Sequence, residues 1–408
     1  MPISVLHFAD AHIDMVTTGR LDPESGLPIR VTDFLSALDQ IVDRAVEEKV
    51  DLVIFAGDAY KDRNPQPTYQ REWGKRLMRL SAAKIPTILL VGNHDVARAS
   101  GRAHTLHEYA TLEVPYLHVA DTVSLLGPDQ LDGLPVQVIT LPWVSRSALL
   151  TRQESSGKSV QEIYAEIEDR LTTAVNMLIE RADPELPLIL TAHASVSGAK
   201  TSSEKTIMLG QELVLPKSLV ARKGIDYVAL GHIHKHQDLS GGTHPPIVYP
   251  GSIERIDFGE VREEKGFVLA SVEKEKSTWN FEKLKTRRFI DLRLDTPEAE
   301  TFMQDILSQL PDPNEVAGAI CRVQLIYPRD WETLLDEPIL HAHFSEALSL
   351  QIYKQRETSK RSRLGESLKA ESLTPLELLD IYWKTLDLEV EESEILQKMA
   401  VDLFSDVE

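Results

Sequence analysis

The chain predicts an α/β fold with a smaller α+β unit behind it, and two observations carry that prediction. Short apolar runs rich in Val, Ile and Leu recur over residues 1–275, with helical patterns between several of them. Five of those runs are followed closely by Asp, Asn or His. In open α/β sheets the carboxyl ends of the strands are where ligands bind, so residues far apart in sequence can converge there.

The strand-like runs are Val5–Phe8, Leu52–Phe55, Thr87–Val91, Val136–Leu141, Leu186–Leu190, Tyr227–Leu230 and Phe267–Val272. Their shortness and branched side chains predict burial on both faces. Asp33–Lys49 reads as a helix, with Phe34, Leu38, Ile41, Val42 and Ala45 on one face and Thr32 as N-cap. Ser159 is placed to cap a second helix that carries Ile163, Ile167, Leu171, Val175 and Leu178. Val144–Lys158 is a polar loop. This first domain is placed at 1–275, and a smaller one follows at 276–353. In it Phe289–Leu294 and Ile320–Tyr327 are strand-like, and Thr296-Pro297-Glu298 opens a helix. Residues 354–372 read as a basic linker, and 373–408 as two short amphipathic helices joined by a loop. Thr374-Pro375-Leu376-Glu377 forms a capping box, Leu376, Leu379, Trp383 and Leu386 a first apolar stripe, and Ile395, Leu396, Met399, Leu403 and Val407 a second.

Composition bounds the function. At 42% hydrophobic and 26% charged residues the chain is an ordinary globular protein. Cys321 is its one cysteine, so no intrachain disulfide forms, and its apolar surroundings assign it to a core. No basic leader and no run of about 20 apolar residues is present, so a cytoplasmic protein without membrane partners is expected. The net charge of −20 argues against a nucleic-acid binder. Ten acids against two lysines in 373–408 supply much of it, however, and bound cations would add positive charge where phosphate must sit.

The chemistry lies past the strands. The first run leads to Asp10-Ala11-His12, the second to Gly57-Asp58 and the third to Gly92-Asn93-His94-Asp95. The fifth leads to His193, and the sixth to Gly231-His232-Ile233-His234, where alternate residues of an extended chain point the same way. Two aspartates, an asparagine and four or five histidines are too many ligands for one four-coordinate zinc and fit two ions sharing a carboxylate. Mixed imidazole and oxygen donors suit manganese, iron or zinc. Such a pair of ions clamps both oxygens of an in-line phosphoryl displacement. His7, His104, His107, His118, His236 and His244 are read as ordinary structural histidines. Lys283, Lys285, Arg287 and Arg288 form a basic cluster that is either a phosphate contact or a solvated surface.

This ordered set resembles the calcineurin-like metallophosphoesterases. Pro65-Gln66-Pro67-Thr68, Tyr249-Pro250-Gly251-Ser252-Ile253-Glu254-Arg255, Phe258-Gly259-Glu260 and Lys265-Gly266-Phe267 are similar to the SbcD family of double-strand-break repair nucleases within them. The resemblance implies a four-layered sandwich of two mixed sheets flanked by helices, with a small DNA-binding cap domain and a C-terminal helix-loop-helix. It implies that Asp10, His12, Asp58 and His234 hold one ion, that Asp58, Asn93, His193 and His232 hold the other, and that His94 is the catalytic histidine. The implied metal is manganese, with iron, zinc or magnesium as alternatives. The implied activity is 3′-to-5′ exonuclease and single-strand endonuclease action on DNA, as a homodimer bound through the C-terminal helices to an SbcC-type ABC ATPase. Two positions depart from the family pattern. Asp14 stands where a glycine is usual, either binding an outer water or capping a turn. Lys61 replaces a histidine found in some members, either holding a phosphate or remaining solvated. The competing readings are a phosphodiesterase for a small molecule and a non-catalytic scaffold.

Overall fold

The computed structural model describes residues 2–15, 19–96, 103–144, 158–201, 213–295, 298–357, 379, 383 and 396–400. The first compact unit spans Met1–Ile290 with Gly318–Ile320, and the second holds the rest. The first unit runs β1 (Ile3–Phe8), α1 (Ile29–Glu48), β2 (Leu52–Phe55), α2 (Pro67–Ala82), β3 (Thr87–Leu90), α3 (His107–Thr111), β4 (Leu117–Ala120), β5 (Ser124–Leu126), β6 (Gln137–Leu141) and α4 (Val160–Arg181). It continues through β7 (Leu188–His193), β8 (Ser195–Val196), β9 (Val214–Leu215), α5 (Lys217–Val220), β10 (Tyr227–Gly231), β11 (Gln237–Asp238), β12 (Ile247–Tyr249), β13 (Gly266–Val272) and β14 (Thr278–Lys283).

Side-chain alternation along the strands sorts this unit into four layers. One six-stranded sheet has the order β14-β13-β1-β2-β3-β4 and the other β11-β12-β10-β7-β6-β5. Both are mixed: β1, β2, β3 and β4 are parallel while β13 is antiparallel to β1, and β6, β7, β10 and β12 are parallel while β5 and β11 run antiparallel at the edges. Leu6, Phe8, Val53 and Phe55 join Phe34, Leu38, Trp73 and Leu77 of α1 and α2 in one apolar layer. Val5, Leu52, Ile54 and Ile88 meet Val138, Ile189, Tyr227 and Ala229 in the layer between the sheets. Leu190, Val228 and Leu230 pack with Ile167, Leu171 and Val175 of α4 in the third. Burial on both faces is what the short branched runs predict. His7 lies in the middle layer and is satisfied there, with Nδ1 3.1 Å from the Tyr227 hydroxyl and Nε2 3.1 Å from the Leu230 carbonyl.

Several local expectations change. Helix α1 begins at Ile29, so Thr32 lies in its first turn and donates to the Ile29 carbonyl instead of capping. Tertiary partners extend the helix: buried Arg30 donates to the Arg255 carbonyl at 2.5 Å and lies over the ring of Phe289, beside its local pair with Asp33. Lys49, at φ 52°, closes the other end with its N–H on Ala45 and Val46. Ser159 does cap α4, in a reciprocal box with Glu162. The boundary at 275 falls within the first sheet, because β14 pairs with β13 and the unit runs on to Ile290. Most of the Val144–Lys158 loop lies outside the described residues.

The second unit has a three-stranded sheet in the order β15 (Phe289–Asp295), β16 (Ile320–Pro328), β17 (Ser349–Glu357). Its helices are α6 (Phe302–Ser308), α7 (Pro313–Val316) and α8 (Glu337–His343). The helix expected from Thr296 therefore starts at Phe302; residues 296–297 lie outside the described set. Phe302, Tyr327 and buried Cys321 belong to its core. Residues 354–357, expected in the linker, extend β17, where Lys354 and Arg356 pair with Glu332. The linker beyond them and the helix-loop-helix at 373–408 lie outside the described residues, apart from helical positions at 379, 383 and 396–400. Among the described residues no helix is long and apolar enough to cross a membrane.

Trp73 is fully buried against Phe55 and Tyr60. Trp73→Ala should cost about 3–5 kcal/mol in urea unfolding. Trp73→Phe should cost much less, because the indole N–H makes no hydrogen bond among the described residues. Equal costs for the two variants would contradict this packing.

Candidate metal centre

The strand order places the five motifs together. β1, β2 and β3 are neighbours in one sheet and β7 and β10 in the other, and all five end at the same edge of the sandwich. The loops past them interlock through the backbone: Asp10 N–H donates to the Gly57 carbonyl, and the Ala11 and His12 N–H groups to the Asp58 carbonyl. Four of the site residues are held at positive φ, Asp10 at 51°, His12 at 39°, Asp58 at 64° and His232 at 97°. Such backbone is costly for residues with a Cβ and collects at functional sites. Two glycines are needed for close approach. A methyl group at Gly92 would collide with the Asp58 carboxylate, and one at Gly231 with the Ala56 carbonyl.

The side chains form two clusters, Asp10 with His12 and His234, and Asp58 with His193 and His232; within each, ligand atoms lie within 4.8 Å of one another. Asp58 stands between them, its Oδ2 3.7 Å from His12 Nε2 and 3.5 Å from His193 Nε2. Asn93 completes the second cluster, with Oδ1 3.0 Å from His193 Nε2 and 2.9 Å from His232 Nδ1. Acceptors behind the rings set the tautomers. His12 Nδ1 faces the Tyr60 carbonyl at 3.3 Å, His193 Nδ1 the Ala56 carbonyl at 2.6 Å and His234 Nδ1 the Glu260 carboxylate at 2.9 Å. Each Nδ1–H donates outward, which turns the Nε2 lone pair into the site.

Charge makes the same demand. Asp10 and Asp58 are buried and lie among imidazoles. Burial raises Asp10. Burial also pushes Asp58 up, but His193, His94 and His12 hold it well below the usual carboxylate range. Burial would lower His193, yet Asp58 and Asp10 raise it to about 9. His12 is driven well down by burial and stays neutral. Enclosed carboxylates require positive charge, and the inward lone pairs are the donors that hard and borderline divalent ions accept. The residues present fit two such ions.

His94 borders the centre without joining either cluster. Its N–H donates to Asp58 Oδ1 at 2.8 Å, its Nδ1 faces the Lys61 carbonyl at 2.7 Å, and its ring stands edge-on to His12 at 5.1 Å. It lines an open cleft of about 800 Å³ with Asp14, Lys61, Arg63, Pro65, Gln66 and Tyr69. Asp14 takes the turn-capping role, accepting from the N–H groups of Lys61 and Asp62 at 2.5 and 2.9 Å. Lys61 thus contributes its carbonyl to His94 while its exposed side chain lines the cleft. Of the basic cluster, Arg287 is bidentate to Asp33, and the exposed Lys283 pairs with Glu264. His236 is structural, stacked on Phe281 with Nδ1 on the Tyr249 carbonyl.

Three supporting residues carry no role in the sequence reading. Asp95 is buried and accepts from the N–H groups of Asp58, Ala59 and Gly92 and from the Thr105 hydroxyl, tying the second motif to the third. Glu260 orients His234 and pairs with buried Lys265, whose Nζ also donates to the His234 carbonyl. Trp143, past β6, packs at 5.1 Å against His232. Asp95 lies in Gly92-Asn93-His94-Asp95 and Glu260 in Phe258-Gly259-Glu260, which is their only signal in the sequence; Trp143 has none.

Residues 3–236 match the family of calcineurin-like phosphoesterases, a span holding every residue from Asp10 to His234 named above. Among solved structures, the chain is similar to a dimetal phosphatase from Danio rerio at 10% identity, over 69% of this chain and 97% of that one, with a TM-score of 0.40.

Glu260 gives the centre a pH signature. Burial would raise its pKa, but Lys265 and His234 bring it from an ordinary 4.5 down to about 2. A carboxyl lowered on folding adds stability that is present above its unfolded pKa and lost as pH falls through the folded one. Metal-free Glu260→Gln should therefore be roughly 2–3 kcal/mol less stable than wild type at pH 6. The gap should close between pH 4.5 and about 2. Urea unfolding across that range would expose a constant gap, which this account does not allow.

Proposed function

We propose that this chain, which belongs to the calcineurin-like phosphoesterases, is a manganese-dependent DNA nuclease of the SbcCD type, acting as a 3′-to-5′ exonuclease and single-strand endonuclease. At the coarser level it is a metal-dependent phosphoester hydrolase. In the proposed reading Asp10, His12, Asp58 and His234 hold one ion, Asp58, Asn93, His193 and His232 the other. When bound, the pair supplies Lewis-acid stabilisation of phosphoryl charge and activation of water. His94 handles the proton: with Nδ1–H on the Lys61 carbonyl, its Nε2 is the nitrogen that passes a proton to the leaving 3′ oxygen. The backbone N–H of His94 holds Asp58, so the proton donor and the shared ligand move as one unit.

The observation that carries the DNA reading is the cleft beside His94. It is open and polar, whereas small-molecule pockets are mostly apolar and enclosing. Lys61 and Arg63 line it beside Asp14 and Asp62 and supply the point charges for a phosphate backbone, and Pro65 and Gln66 belong to Pro65-Gln66-Pro67-Thr68. The other segments similar to the nuclease family lie against the centre as well. Ser252 N–H donates to the His234 carbonyl, and Glu260 and Lys265 hold His234 in place. In the same reading the second unit binds duplex, the C-terminal segment docks on an ABC ATPase, and the chain works as a dimer.

The test is hydrolysis with manganese of linear duplex and hairpin DNA, against bis-p-nitrophenyl phosphate and cyclic nucleotides. Cleavage of DNA at far lower enzyme concentration supports the nuclease. Turnover confined to a small phosphodiester identifies the alternative enzyme, and no turnover identifies a scaffold. His94→Ala should keep both ions and lose about 10²–10⁴-fold in rate. Wild-type turnover in the metal-replete variant would remove His94 from the chemistry.

A further inference from the structure

We propose that His104, His107 and Asp121 form a third metal site, for a zinc-like divalent cation, separate from the strand-end centre and independent of its substrate. The ligand atoms of the three side chains lie within 4.8 Å of one another. His104 Nε2 and Asp121 Oδ2 are 3.4 Å apart, and the two imidazole rings meet edge-on at 5.1 Å. That N···O distance is long for a hydrogen bond. It matches the edge of a tetrahedral zinc site, where ligands at about 2.0–2.1 Å from the ion stand roughly 3.3–3.5 Å from each other. The second ring nitrogen of His104 is buried and makes no hydrogen bond among the described residues. His107 and Asp121 are exposed, and a cleft of about 570 Å³ lined by both histidines gives an ion access. Two imidazoles and a carboxylate without a thiolate suit zinc with water as fourth ligand.

The position gives the site a purpose. His104 precedes Thr105, whose N–H and hydroxyl donate to the Asp95 carbonyl and carboxylate. His107 opens α3, and Asp121 follows β4, whose last carbonyl, on Ala120, accepts from the Val91 N–H. An ion here ties α3 to the end of β4 and fixes Thr105 against Asp95, which holds the Asp58 and Gly92 amides. It acts as a clamp on the loop carrying Asn93 and His94 and contributes no group to the reaction.

Equilibrium dialysis of the full chain against zinc, with bound metal counted by mass spectrometry, tests the site. His107→Ala and Asp121→Asn should each bind one equivalent fewer than wild type, however many ions the strand-end centre takes. Cobalt-loaded wild type should show a visible band of a tetrahedral site that both variants lack. Zinc should also raise the unfolding temperature of wild type more than that of either variant. Both variants should keep the wild-type circular dichroism spectrum and a cooperative urea transition, which shows that they fold. If His107→Ala does not fold, the near-isosteric Asp121→Asn decides. Equal zinc equivalents in wild type and the folded variants would overturn the proposal.

Discussion

Every polar group of Asp58 is committed, and the site is arranged around that fact. Its N–H donates to Asp95, and its carbonyl accepts from Ala11 and His12. One carboxylate oxygen accepts from the His94 N–H, while the other lies between His12 and His193. The residue is held at φ 64°, a left-handed conformation that residues with a Cβ seldom adopt. Gly92 leaves room for its carboxylate. The two clusters are a pair because this one side chain reaches both.

Each supporting interaction holds a donor in the orientation Asp58 requires. The carbonyls of Ala56 and Tyr60 turn His193 and His12 inward, and Glu260 does the same for His234. Glu260 is in turn held by Lys265, a buried ion pair kept by several hydrogen bonds. Isolated buried charges would be costly, but here each has a partner. The fold contributes by placing β1, β2 and β3 side by side in one sheet and β7 beside β10 in the other. Residues from Asp10 to His234 therefore meet without any one segment supplying the whole site.

The residues of the two clusters could be picked out because each belongs to a motif local to its strand end, and strand ends converge in this class of fold. Asp10, His12, Asp58, Asn93, His193, His232 and His234 gather where the motifs place them. What was hidden depends on partners distant in sequence. Thr32 carries the local signal of an N-cap, yet the helix extends past it because Arg30 finds the Arg255 carbonyl and the Phe289 ring. Strand β14 is half-buried and mostly polar, and only its pairing with β13 shows that the sheet continues. Arg287 reads as either a phosphate contact or a solvated cation, and it is clamped on Asp33. Asp95 and Glu260 could be seen in their motifs, but their work is done on groups from other loops.

The shared carboxylate is open to direct observation. Crystals of the manganese-loaded protein, measured at the manganese absorption edge, locate each ion by anomalous scattering. This account predicts two peaks about 3.5–4 Å apart with the Asp58 carboxylate between them. A single ion at that strand-end site, or two ions with no common ligand, would contradict it.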